Sequence, residues 1–280
     1  MLRIVLDGAR DIPKEWQAEY DVHVIPINIH FENKIFQQGI ELSNDDFYHI
    51  AESSGVIPKT SLPTPQQFVD INNRIAHIID TSLFLNGTSK LSGTYNSAVL
   101  AAQELKNIII IIPFNSGLGS AALGFMCKEA CQLVKVGASL QAVIKRLEVI
   151  HNITNIILTL YKLEYARRSR RVNALSAVLA AVVKIKPVII LKDGALDMGE
   201  RVRTPQPANI RVLEIIYKQV GARLINIAVV HLQSLDAAKD LLRKIRETFH
   251  VNEVILSDLS IGIAASLGPG TIGIVACAVS

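Results

Sequence analysis

Aromatic residues are scarce, at only 5% of 280 positions with a single tryptophan. A core without many rings must be filled by aliphatic side chains, and half of the chain is hydrophobic, enough for a sizeable interior. Ile, Leu, Val and Ala in that proportion favour parallel strands buried under helices. Cysteine is sparse too. The three present, Cys127, Cys131 and Cys277, are an odd number, which excludes a disulfide framework and points to a reducing, cytoplasmic setting. Cys127 and Cys131 stand four apart on a predicted helix, where they read as part of its buried face rather than as a metal pair. Seven scattered histidines add no metal-ligand spacing, so no metal is expected. A net charge of +4 excludes strong nucleic-acid affinity. Long apolar runs are missing as well: Lys184, Lys186 and Pro187 divide the best one, residues 174–191, into a helix and a strand. Asp7 interrupts the only apolar start, leaving no export signal.

What is present is an alternation of strands and helices. Residues 2–6, 22–29, 82–85 and 108–112 read as strands, the last strongly β-branched. Asp11-Ile12-Pro13 opens one helix, and Ser43-Asn44-Asp45-Asp46 caps another through residue 52. Further helices are expected from 94 to 105, from 120 to 136 and from 139 to 151. After about residue 153 the texture changes. Strands are expected at 156–160, 188–191, 224–231 and 253–256, with helices at 174–183, 209–220 and 235–249 and a turn at Asp193-Gly194. The fold class is therefore α/β with two domains: an N-terminal parallel-sheet α/β domain, 1–152, and a C-terminal α+β domain, 153–280.

In a parallel sheet, ligands bind beyond the carboxyl ends of the strands, where loops at 7–10, 60–65, 88–95 and 115–120 would gather. Two of these loops share a chemistry. Ser89-Lys90-Leu91-Ser92-Gly93-Thr94-Tyr95-Asn96-Ser97 places hydroxyls and a glycine at a helix start, whose N–H groups attract anions. Lys59-Thr60-Ser61-Leu62-Pro63-Thr64 repeats the pattern ahead of a second helix. Together they suggest a polar clamp for one small acidic group, although such residues also cap helices and shape turns. A third motif, Gly268-Pro269-Gly270-Thr271-Ile272-Gly273, matches the dinucleotide fingerprint in letters only. That fingerprint needs a following helix, and seven residues leave no room for one.

Taken in order, a set of short pieces resembles the DegV family of bacterial fatty-acid-binding proteins over essentially the whole length. The pieces are Asp7, Thr60-Ser61-x-Pro63, Leu91-Ser92-Gly93-Thr94-Tyr95-x-Ser97, Ser116 and Ser120 ahead of Gly124, and Leu163-Glu164-Tyr165 running to Arg171. They continue with Ile185-Lys186-Pro187, Asp193-Gly194, Val202-Arg203-Thr204 and Gly268-Pro269-Gly270. The resemblance implies a non-enzymatic carrier that buries one long-chain fatty acid between its domains, with no cofactor. It would present the carboxylate to a partner fatty acid kinase. It implies ligand contacts from Thr60, Ser61, Ser92, Gly93, Thr94, Ser116, Ser120, Arg171 and Ser266. Arg167, Arg168 and Arg170 would face the partner, and transient contact with a membrane surface fits a lipid cargo.

The chain departs from the family pattern at several places. Gly8-Ala9 stand where hydroxyls are usual, Asn115 where aspartate is, and Ala122 where glycine is. Ser169 and Arg170 replace paired glycines, and Ser266 replaces a histidine. Two other readings compete. One is a small-molecule hydrolase or phosphotransferase using Ser92 as nucleophile, which lacks a Gly-x-Ser-x-Gly elbow and a P-loop. The other is an interaction module that keeps the fold without the ligand.

Overall fold

The computed structural model describes residues 2–75, 81–107, 109–169, 171, 186–202 and 205–279, and its class is mixed α/β. The chain divides into two compact units, Met1–His151 with Ser260–Gly262, and Asn152–Leu259 with Ile263–Ser280. The expected helix at 174–183 and Arg170 lie outside the described residues. Among the described residues no helix is long and apolar enough to cross a membrane.

The first unit runs β1 (Leu2–Asp7), α1 (Lys14–Glu19), β2 (His23–Ile25), β3 (Asn28–Phe31), β4 (Lys34–Gln37), α2 (Asn44–Ser54) and β5 (Lys59–Ser61). It continues through α3 (Pro65–Ile75), β6 (Thr81–Asn86), α4 (Thr94–Glu104), β7 (Ile110–Asn115), α5 (Ala121–Lys135) and α6 (Leu140–Ile153). Its main sheet has the order β2-β1-β6-β7 and is parallel throughout. Val5, Ile25, Phe84 and Ile111 from the strands pack with Phe68 of α3 and Ala98 and Ala101 of α4 into one buried cluster. Two alanines there let α4 lie close to the sheet. The start of α2 is the capping box expected from its sequence: Ser43 Oγ accepts Asp46 N at 3.1 Å, and Gly55 ends the helix in the left-handed region.

Several elements of this unit differ from expectation. The apolar run 22–29 is not one strand, because Pro26 offers no N–H to a ladder. The chain leaves the parallel sheet after β2, and β3 joins a separate antiparallel sheet, β4-β3-β5. That sheet recruits β4 from the polar stretch after Glu32, which turns with φ 50°, and β5 from the proline-flanked loop. Asp11 does not cap α1. Pro13 holds that position, with no side-chain cap.

The second unit is built on β8 (Thr154–Thr159), α7 (Leu163–Ser169), β9 (Lys186–Lys192), β10 (Ala195–Val202), α8 (Pro205–Val220), β11 (Ile225–His231), α9 (Leu235–Thr248), β12 (Val251–Asp258) and β13 (Ile272–Ala278). A short α10 (Ile261–Leu267) precedes the glycine-rich turn. The sheet order is β10-β9-β8-β13-β11-β12; only β11 and β12 pair in parallel. Val212 and Ile216 of α8, with Leu241 and Ile245 of α9, cover Ile157, Ile227 and Ile274. Asp193 and Gly194, both at positive φ, close the β9–β10 hairpin, as their sequence suggested. The dinucleotide-like Gly268–Gly273 stretch leads into the buried β13, a strand in place of the helix that fingerprint requires.

Candidate ligand-binding site

The carboxyl ends of β1, β6 and β7 carry Asp7, Asn86 and Asn115. Asp7, 2% exposed, accepts the N–H of Ala9 at 2.8 Å and that of Gly87 at 3.0 Å. Asn86 Nδ2 donates to Phe84 O at 2.9 Å. Asn115 Oδ1 accepts from Ser89 N and Gly117 N, both at 3.2 Å, while its Nδ2 donates to Ser89 Oγ at 2.8 Å. Thr88 N reaches Leu118 O at 2.8 Å. The loops after β6 and β7 are thus fixed to each other through polar groups at strand ends, where the topology delivers them.

The hydroxyl-bearing β5 is anchored by a second network. Asn28 Nδ2 donates to Leu62 O and to Gln67 Oε1, each at 3.0 Å, and Gln67 Oε1 also accepts Thr64 N at 2.8 Å. Held this way, Leu62 lies against Gly93: a methyl at position 93 would fall 2.8 Å from Leu62 Cδ1. Glycine at 93 gives the Leu62 side chain its room, and the contact sets Ser61-Leu62 beside Ser92-Gly93-Thr94. There α4 begins, with Gly93 as an N-cap that has no side chain to offer. Ser92 Oγ takes part of that role, accepting Thr94 N at 3.3 Å and sharing a hydrogen bond with Thr94 Oγ1 at 2.9 Å. The first turn of this 11-residue helix therefore presents N–H groups among hydroxyls.

The expected site residues fall into groups. Thr60, Ser61, Ser92, Gly93 and Thr94 belong to the two loops joined at Leu62, with Ser61 Oγ 2.7 Å from His30 Nε2. Ser116 and Ser120 are buried and turned inward. Ser116 Oγ accepts Leu118 N at 3.0 Å, and its carbonyl lies 2.7 Å from His151 Nδ1. Ser120, at φ 59°, donates from Oγ to Asp11. In the second unit, Arg171 Nη1 donates to the hydroxyl of Ser266, which is 5% exposed. Arg167 and Arg168 are exposed on α7, Arg168 paired with Glu164 at 3.2 Å.

Asp11 is the polar centre that sequence reasoning missed. Its Oδ1 accepts Ser260 N at 2.6 Å and its Oδ2 the Ser120 hydroxyl, with 2% exposure. Burial pushes this carboxyl up to about 6, against the opposing pull of Ser120, Ser260 and Arg10. Gln38 ties down the same segment: its Oε1 accepts Gly262 N at 3.1 Å and its Nε2 donates to Gly8 O at 2.9 Å. These bonds tie Ser260–Gly262 to the rest of the first unit. No local signal marks them, since Asp11 and Ser260 lie 249 positions apart.

A parallel α/β unit with hydroxyl loops at its strand ends, followed by a unit on a mixed sheet, makes this a two-unit α/β protein, and in open α/β sheets ligands bind beyond the carboxyl ends of the strands. Comparison with known proteins makes this specific. A family profile described as an uncharacterised protein of the DegV family matches residues 1–279. A DegV domain-containing protein of Halalkalibacterium halodurans is 31% identical, over 98% of this chain and 97% of the relative. A solved DegV family protein from Thermus thermophilus, described as fatty-acid binding, superposes with a TM-score of 0.91 at 26% identity, covering 99% of each chain. The DegV structure from Bacillus subtilis, described as a fatty acid binding protein, gives 0.90 at 26% identity, again over 99% of each. The chain belongs to the DegV family.

Proposed function

We propose that this protein binds a long-chain fatty acid and presents its carboxylate to a partner fatty acid kinase. The observation that carries the reading is the packing of Leu62 on Gly93, which joins two separate hydroxyl loops at the first turn of α4. A carboxylate withdrawn from water needs several donors. Thr60, Ser61 and Ser92, with the N–H groups at Gly93 and Thr94, supply them. The tail supplies the affinity: about fifteen methylenes at about 0.8 kcal/mol each give on the order of 12 kcal/mol before the costs of association.

Ser116 and Ser120 have their hydroxyls engaged by Leu118 and Asp11, so the proposal has them shape the loop rather than touch the ligand. Arg171 and Ser266 are retained as ligand residues on the strength of the family resemblance, as are Arg167 and Arg168 for the kinase. The fatty-acid binding described for the relatives from Thermus thermophilus and Bacillus subtilis supports the same cargo. The partners seen for Ser92 Oγ are the hydroxyl and N–H of Thr94. Neither is a base, which favours a binding role over a Ser92 nucleophile.

Native mass spectrometry and organic extraction of protein made in bacteria test this. One co-purified fatty acid per chain is expected, with acyl retention falling at least tenfold in a Thr60→Ala/Ser92→Ala double variant whose circular dichroism is unchanged. Folded wild-type protein without lipid would overturn the binding assignment. Undiminished retention in the double variant would remove these hydroxyls from it.

A further inference from the structure

We infer that Cys127 and Cys131 form a peroxide-reactive dithiol, a modification site on α5 independent of the lipid reading. The two residues are one turn apart on the same face, with their sulfurs at 3.9 Å. Their surroundings are asymmetric: Cys127 is fully buried, whereas Cys131 is partly open to solvent. A small oxidant reaches one sulfur while the other waits beside it.

Two arginines stand beside the pair. Arg3 lies near Cys131 and Arg10 near Cys127. The Nε–H of each arginine is buried with no hydrogen-bond partner, an uncommon state for a guanidinium and one suited to a neighbouring thiolate or sulfenate. Asp21 opposes Arg3 and is ion-paired with it, and Asp11 and Asp7 act on Arg10 ahead of Cys127, so part of each positive charge is already balanced. The hydrogen bond shared with the Cys127 sulfur holds the Cys131 thiol below its ordinary range, against the opposing effect of burial and with a smaller pull from the charge of Arg3. Cys127 is pushed up by the same hydrogen bond and by burial. Cys131, the sulfur partly open to solvent, is the attacking one and buried Cys127 the resolving one.

Written out, the Cys131 thiolate attacks the O–O bond of hydrogen peroxide, keeps one oxygen as a sulfenic acid, and releases the other as hydroxide. The Cys127 thiol then gives up its proton and attacks the Cys131 sulfur. The S–OH bond breaks, water leaves, and a disulfide forms. Two electrons pass from the cysteines to the peroxide. Helical neighbours four apart keep their Cβ atoms about 5–6 Å from each other, whereas a relaxed disulfide wants about 3.5–4.5 Å. The bond therefore forms only if α5 yields by about 1–2 Å, and a bond strained in this way is readily reduced again. The site is built to be reversible.

Treating the full chain with millimolar hydrogen peroxide tests this. Alkylatable thiols should fall from three to one, with the loss of two hydrogens confined to residues 121–135 and reversed by dithiothreitol. Cys127→Ser should stop at a sulfenic acid on position 131, captured by dimedone, and Cys131→Ser should not react at that helix. Circular dichroism melts confirm that each variant is folded, with Cys127→Ala replacing the serine variant if that one melts early. The inference fails if three thiols survive, if Cys277 is oxidised instead, if the Cys127 variant yields no dimedone adduct, or if Cys131→Ser still loses two thiols.

Discussion

Asp11 should make the fold weaker as the pH rises from 3.5 to 7. The carboxyl is almost wholly buried, and its two oxygens are occupied by Ser260 N and Ser120 Oγ. Burial outweighs those hydrogen bonds and the charge of Arg10, lifting the group from 3.8 to about 6. The folded state thus holds this proton more tightly than the unfolded chain does. The extra stability is complete below the unfolded value of 3.8, drains away as pH rises toward about 6, and is absent above it. At about 1.4 kcal/mol per pH unit, the interval corresponds to about 3 kcal/mol. Other carboxylates work in the opposite sense: Glu200, bound by Arg211, and Asp46, bound by Ser43, are held below their ordinary range and lose their contribution as pH falls. Asp11→Asn isolates the effect. The amide keeps both partners, its Oδ1 accepting Ser260 N and its Nδ2 donating to Ser120 Oγ, but it does not titrate. Urea denaturation of both proteins at intervals from pH 3.5 to 7 should show wild type losing about 3 kcal/mol relative to the variant. Parallel stability curves, or a wild type that gains on the variant as pH rises, would refute the argument.

Two further outcomes follow from the packing. Gly268→Ala should lower stability by about 2 kcal/mol or more in thermal melts, since φ is +77° and the new methyl would meet Tyr165 Cγ at 2.6 Å. Leu147→Ala, which empties a fully buried position on α6, should cost about 2–5 kcal/mol in urea denaturation.

The parallel sheet was legible because its strands are aliphatic and local. Ile4-Val5-Leu6 and Leu83-Phe84-Leu85 are buried on both faces, so period and composition agree. The Ser43 box was legible for the same reason, all its partners lying within four residues. Elements stabilised from afar were harder to see. Strand β4, with Lys34 and Ile35 exposed, exists because Ile29 and His30 offer it an edge. Strand β13 contains Gly273 and small residues that a pattern search discounts, but it sits between β8 and β11, and at Gly273 itself the packing is tight: a methyl there would fall 3.1 Å from Leu158 Cβ.

The site shows the same division at finer scale. Composition identified which loops carry hydroxyls, and four such serines stood out: Ser61, Ser92, Ser116 and Ser120. Their chemistry is identical, so only partners separate them. Ser120 is drawn inward by Asp11, 109 positions earlier in the chain, and Ser116 closes its own turn on Leu118. Ser92 instead stays at a helix start whose cap is a glycine, because Leu62 occupies the space a side chain would need. What singles out the proposed binding loop is therefore the residue left without a side chain, not the hydroxyls around it. Gly93 gives the Leu62 side chain room against the start of α4, and a larger residue there would make that side chain give way at the proposed clamp.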